Sequence, residues 1–159
     1  MKKEILKMME KNSRIDFQDM ADMLDTDIDT VKKVVSELET EKVICAYTTL
    51  INWDKVDEDE RVTAMIEVRL TPHRSVGYDK VAERIYNYPE VKTVYLMSGT
   101  YDLMVILEGK TLKEVARFTS NRLAVIDDVV GTTTHFVLKK YKDHGTIMTS
   151  PVERRQAVL

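Results

Sequence analysis

Cysteine is nearly absent from this chain of 159 residues; Cys45 is the single example. A lone thiol excludes an intrachain disulfide framework and a multi-cysteine zinc site. Histidine is almost as scarce. His73, His135 and His144 show no H-x-x-x-H or Cys/His spacing, so surface or structural roles are expected and no metal site is. No apolar run approaches the ~18 residues needed to span a membrane. The start, Met1-Lys2-Lys3-Glu4, opens onto mixed charged and apolar residues, so no secretory signal is expected. No Ser/His/Asp grouping, phosphate-cradling glycine motif or paired-acid motif stands out. These absences lead to the expectation of a reduced, cytoplasmic protein without a cofactor, outside membranes, and not an enzyme.

What is present is a globular composition, 43% apolar and 32% charged. That is too apolar and too lightly charged for a disordered chain. The length suits one average domain or two small ones. Net charge is −3, unevenly spread: residues 1–60 hold 9 Lys+Arg against 16 Asp+Glu, net −7, and residues 61–159 hold 15 against 11, net +4. Five acids fall in residues 54–60. Such a run is a solvated loop and marks the boundary between two domains.

The first domain, expected over 1–53, reads as three short helices and a ribbon. Ile5, Leu6, Met8 and Met9 follow helical spacing over about 2–11. Asp16 stands as an N-cap before Phe17, Met20, Ala21 and Leu24. After a short Asp25-Thr26 turn, Asp27 caps a third helix with the apolar face Ile28, Val31, Val35 and Leu38, reaching about Glu41. Val43 to Ile51 has the β-branched and aromatic composition of a strand or two. Periodicity alone leaves open a winged helix-turn-helix and a plain three-helix cluster that binds nothing.

Specific residues favour the first. Leu24-Asp25-Thr26-Asp27-Ile28-Asp29-Thr30-Val31, then Leu38-Glu39, then Val43-Ile44-x-x-Tyr47 resembles the DNA-binding domain of the Lrp/AsnC family, the leucine-responsive and asparagine-responsive regulators. The recognition helix is less basic than in that family: Lys32 and Lys33 are its only cations, and Lys42 replaces a frequent Gly. Phosphate neutralisation dominates DNA affinity, so weak binding per copy is expected.

The second domain, expected over 61–142, reads as βαββαβ, the ferredoxin-like arrangement of an α+β fold. Arg61 to Leu70 alternates with period 2. Tyr78, Val81, Ala82 and Ile85 recur at helical spacing over about 75–87, and Tyr88-Pro89 stops the helix. Val91–Met97 and Tyr101–Leu107 form a hairpin around Ser98-Gly99-Thr100. Leu112 to Leu123 is a helix, and Val129 to Tyr141 a long strand, leaving 143–159 as a tail. Two helices cover one sheet face and leave the other open. A second copy is the simplest cover, with Ala64, Ile66 and Val68 available to one face or the other. The methionines read mostly as core, and Cys45 as a packing residue.

Pro89-Glu90-Val91 followed by Ser98-Gly99-Thr100-Tyr101-Asp102, and the later Thr132-x-Thr134-x-x-Val137-Leu138-Lys139, are similar to Lrp/AsnC signatures in order and spacing. The resemblance covers about 1–142. It implies an amino-acid-sensing transcriptional regulator that dimerises through its second domain and often forms octamers.

For DNA contact the expected residues are Lys32 and Lys33, with Thr30 and Ser36 on nearby faces. For the effector they are Ser98, Gly99, Thr100, Tyr101 and Asp102: backbone N–H groups of the turn accept a carboxylate and Asp102 pairs with an ammonium. A plain turn remains the alternative for Gly99. Thr132 and Thr134 either line that pocket from another subunit or belong to the sheet surface. Two other readings stay open. One is a sensor that has lost tight DNA binding. The other is an enzyme resembling siroheme decarboxylases, which would need His or Arg around 95–105; that stretch has neither.

Overall fold

The computed structural model describes residues 1–56, 61–71 and 77–149. His73, residues 57–60 of the acidic segment and residues 150–159 of the expected tail lie outside the described residues. The chain divides into two compact units, Met1–Leu50 and Ile51–Leu159.

The first unit contains α1 (Lys2–Lys11), α2 (Phe17–Met23) and α3 (Ile28–Thr40). The caps form as their chemistry requires. The Asp16 carboxylate accepts from Gln18 N at 2.7 Å, and the Asp27 carboxylate accepts from Thr30 N at 2.8 Å. One apolar stripe from each helix meets in a core of Ile5, Met9, Met20, Ala21, Val31, Val35 and Leu38. Both α2 and α3 end on a residue with positive φ: Asp25 at 50° and Lys42 at 58°. Thr26 N then donates to Ala21 O, and Val43 N and Ile44 N both donate to Leu38 O, which satisfies carbonyls at each helix end.

The ribbon expected over Val43–Ile51 pairs with no strand among the described residues. No strand occurs there, and Val43, Tyr47, Leu50 and Ile51 are exposed. β-branched composition favours extended backbone, but a ladder also needs a neighbouring strand. The Tyr47 hydroxyl donates to Glu39 Oε1 at 2.6 Å, tying this segment back to α3. Cys45 is exposed rather than packed, its thiol directed at Lys42 O.

The second unit runs β1 (Val62–Leu70), α4 (Gly77–Tyr86), β2 (Val91–Leu96), β3 (Leu103–Gly109), α5 (Leu112–Phe118) and β4 (Val129–Phe136). The four strands form one antiparallel sheet in the order β2-β3-β1-β4, the expected βαββαβ. β4 stops five residues short of the predicted end. Beyond it, β5 (Lys142–Asp143) and β6 (Thr146–Ile147) pair as a small hairpin where only a tail was expected. Its two-residue loop, His144-Gly145, has φ of 43° and 79°, the positive pair that hairpin loops favour.

The register decides the two faces of the sheet. Ala64, Ile66, Val68 and Leu70 pack with Leu103, Val105 and Leu107 against Val81, Ile85, Val115 and Phe118 from the helices. Ala64, Ile66 and Val68 are therefore not surface available to a second copy, as the sequence had left open. The other face carries Met65 beside Ile106 and His135, and Glu67 beside Met104 and Thr133, with Tyr95 opposite Met104. The His135 Nε2–Glu67 Oε1 distance is 3.0 Å. The methionines are less internal than expected: Met9, Met20 and Met104 are buried, whereas Met1, Met23 and Met97 are exposed.

Candidate functional site

The β2–β3 connection is a four-residue loop, Ser98 to Tyr101. It is closed at its base by Met97 N donating to Asp102 O at 2.8 Å. Gly99 has φ +144°, and a Cβ placed there would meet no atom within 4 Å. The conformation thus asks for glycine, while the space above it is open. Ser98, Gly99 and Thr100 are exposed; Tyr101 and Asp102 are half-buried. Among the described residues, the N–H groups of Ser98, Gly99, Thr100 and Tyr101 meet no acceptor. Four unsatisfied donors on one loop can receive an anionic group.

Asp102 is held at two points. Its N–H donates to Val68 O at 3.0 Å, and its Oδ2 accepts from Leu70 N at 2.7 Å. The carboxylate therefore braces the end of β1, a task the sequence did not reveal because the partner is a backbone group. Removing it must cost stability. Thr132 and Thr134 pair with Val68 and Ile66 across β1 and β4. Thr132 is thus at the same end of the sheet as Asp102, two strand spacings or about 10 Å away, and Thr134 is further from the loop. Both threonines share the helix-facing side of the sheet.

The second unit is matched by a known family: residues 63–147 correspond to the Lrp/AsnC ligand binding domain. The chain belongs to the Lrp/AsnC family. It is 49% identical over 156 residues, 98% of its length and 94% of the relative's, to the uncharacterized HTH-type transcriptional regulator YugG of Bacillus subtilis. Two solved structures share the fold. A transcriptional regulator from Neisseria meningitidis in complex with L-Met aligns with TM-score 0.68, 18% identity, and 90% and 91% of the two chains covered. A feast or famine regulatory protein from M. tuberculosis complexed with L-methionine gives 0.71, 15%, 87% and 90%.

In this Lrp/AsnC chain the helix expected to meet DNA is α3. Lys32, Lys33 and Ser36 are exposed on it, and Thr30 is half-buried. Thr30 is already engaged: its hydroxyl donates to Asp27 Oδ2 at 2.6 Å. These bonds hold the Asp27 carboxyl below its ordinary pKa. The Lys32 ammonium lies 3.8 Å from Asp29, an exposed pair of small worth. Lys2 reaches Glu37 and Glu41 at 3.2 and 3.8 Å, offsetting one acid of the same helix and one at its C-cap. Lys33 and Ser36 have no such partner among the described residues.

Proposed function

We propose that this chain is a DNA-binding transcriptional regulator whose operator binding and assembly respond to a free amino acid. The observation that carries the effector assignment is the loop Ser98–Tyr101: four unpartnered N–H groups beside the Asp102 carboxylate, with open space above Gly99. An α-amino acid presents a carboxylate and an ammonium a few ångströms apart, and the loop offers donors for one and an acceptor for the other. The methionine complexes of two proteins with this fold support that reading. Exposed Met97 and half-buried Tyr101 near the loop favour an apolar side chain. Lys32 and Lys33 are assigned to DNA phosphates, with Ser36 a secondary contact and Thr30 chiefly a helix cap.

The domain limits that fit this role are 1–53 for DNA binding, 54–60 as linker and 61–142 for effector binding and dimerisation. The open sheet face, with Met65, Ile106 and Tyr95, is assigned to a second copy, and dimers to larger assemblies such as octamers. The acidic first unit and the pairing of Lys32 with Asp29 favour one further reading, a sensor with weak DNA binding. Selection of genomic fragments with the purified protein, with and without an amino-acid mixture, separates the two. Enriched fragments whose recovery changes with amino acids support the regulator. No enrichment in either condition supports the sensor alone. Light scattering giving the mass of one chain at micromolar concentration would reject the dimer.

A further inference from the structure

A second concave site lies at the other end of the sheet from the hairpin loop, about 20 Å away by the length of β3. It is a cavity of about 1070 Å³ between α5 and the β2–β3 edge, and its floor includes Leu107, Val115 and Phe118. Five cations line it, Arg61, Lys92, Lys110, Arg117 and Arg122, against three carboxylates. One of those, Glu114, is occupied in accepting from Lys110 N at 2.7 Å. Among the described residues, Lys92, Lys110 and Arg117 make no ion pair. We propose that this cavity is a binding site for a phosphorylated small molecule of nucleotide size, separate from the amino-acid loop.

Two irregularities of the backbone deliver cations to the same cavity. The β2–β3 register steps from Val91↔Leu107 to Thr93↔Ile106. Lys92 is therefore the extra residue of a bulge, a device that re-aims a side chain. After α5 the chain widens into a π-turn over Thr119–Leu123, which carries Arg122. Such turns recur at functional sites. Arg122 sits over the Tyr88 ring at 5.4 Å, and Tyr88 meets Phe118 edge to face at 5.4 Å, so this rim is fixed before a ligand arrives. The Pro89-Glu90 pair also lines the cavity, a conspicuous motif that the amino-acid loop does not use.

Charge selects the ligand class. Five cations against three carboxylates leave the lining at a net charge of +2, more than one carboxylate offsets, while a phosphorylated ligand supplies several charges and many acceptor oxygens. Concavity favours a small molecule over duplex DNA.

Calorimetric titration of the full-length protein with ATP, pyrophosphate and adenosine, without added metal, tests the proposal. ATP should bind, pyrophosphate should bind more weakly, and adenosine should not bind. The triple variant Lys92→Ala/Lys110→Ala/Arg117→Ala should weaken ATP by at least about tenfold, and Glu90→Gln should tighten it. Gly99→Val should leave ATP binding unchanged, and the triple variant should leave amino-acid binding unchanged, so the two sites fail separately. Absence of ATP and pyrophosphate binding at physiological salt would overturn the proposal, as would equal affinity in the triple variant. Loss of duplex DNA affinity in that variant, with no nucleotide binding by the wild type, would make the surface a DNA contact instead.

Discussion

Replacing Asp102 separates bracing from ligand binding, because its carboxylate is assigned both tasks. Asp102 Oδ2 accepts from Leu70 N at 2.7 Å, and Leu70 is 6% exposed. Asp102→Ala therefore removes a charged acceptor and leaves a nearly buried N–H unpaired. A charged hydrogen bond is worth ~1.5–3 kcal/mol. Asp102 is half-buried and water can partly replace it, so the lower part of that range is expected, about 1.5–2 kcal/mol. A fold with a typical ~5–15 kcal/mol survives that loss. Asp102→Asn keeps an oxygen that can accept from Leu70 N and removes only the charge, so it should cost under about 1 kcal/mol. The two variants differ less in effector binding. Both lose the partner for the ammonium, and each should bind the effector at least about tenfold more weakly, or ~1.4 kcal/mol. Urea unfolding followed by Trp53 fluorescence reads the second unit, since Trp53 is the only tryptophan and stacks under Arg61 at 3.6 Å. Titration of the twenty amino acids reads the site. If Asp102→Asn binds the effector as well as wild type, Asp102 is a brace only. If Asp102→Ala is as stable as wild type, the worth assigned to the Leu70 bond is wrong.

Lys42→Gly should stabilise the first unit by about 1 kcal/mol, because a side chain at φ 58° carries a cost that glycine escapes; an unchanged or lower thermal midpoint contradicts this. Gly99→Val should abolish effector binding while leaving unfolding nearly cooperative, since no atom crowds the new side chain but φ +144° disfavours it; retained binding would remove the loop from the site. Lys32→Ala/Lys33→Ala should weaken all DNA binding and flatten its salt dependence by roughly one unit of slope per lost contact; an unchanged slope dismisses both lysines. The bond to Glu39, aided by burial, pushes the Tyr47 hydroxyl up from 10.0 to about 12. The folded state thus holds this proton more tightly than the unfolded chain. The contribution is present in full below pH 10.0 and is lost as pH rises through about 12. The late part of a spectrophotometric tyrosine titration should move earlier in Glu39→Gln, and superimposable curves would refute it.

Local chemistry made much of this architecture legible. Asp16 and Asp27 announce helix starts because a short carboxylate satisfies free N–H groups without any tertiary partner, and both caps form. The alternation from Arg61 to Leu70 marks a half-buried strand because side chains on a strand must alternate. It could not say whether the apolar set, Ala64, Ile66 and Val68, faces the helices or a second copy. Helices α4 and α5 settle that, and their placement is tertiary. The same limit explains Val43–Ile51, where composition supplies propensity and the described residues supply no partner strand. Two features leave little sign in the sequence. The loop His144-Gly145 is flanked by strands of only two residues, and Lys142-Asp143 carries no β-favouring residue, so composition does not announce this hairpin. The change of register at Lys92 leaves no trace in composition at all, because a bulge is defined by the partner strand's count and not by its own residues. The loop proposed for the effector lies between these cases. Gly99 is legible as a turn residue, and its φ agrees; but the proposed effector role rests on four successive N–H groups that meet no acceptor among the described residues. Hydrogen bonds that do not form cannot be read from residue types. They follow from a loop held at its base by Met97 and Asp102, with Asp102 itself fixed by Val68 and Leu70. In the proposed site the brace and the open donors stand side by side: Asp102 is anchored to β1, and the four N–H groups before it meet no acceptor among the described residues.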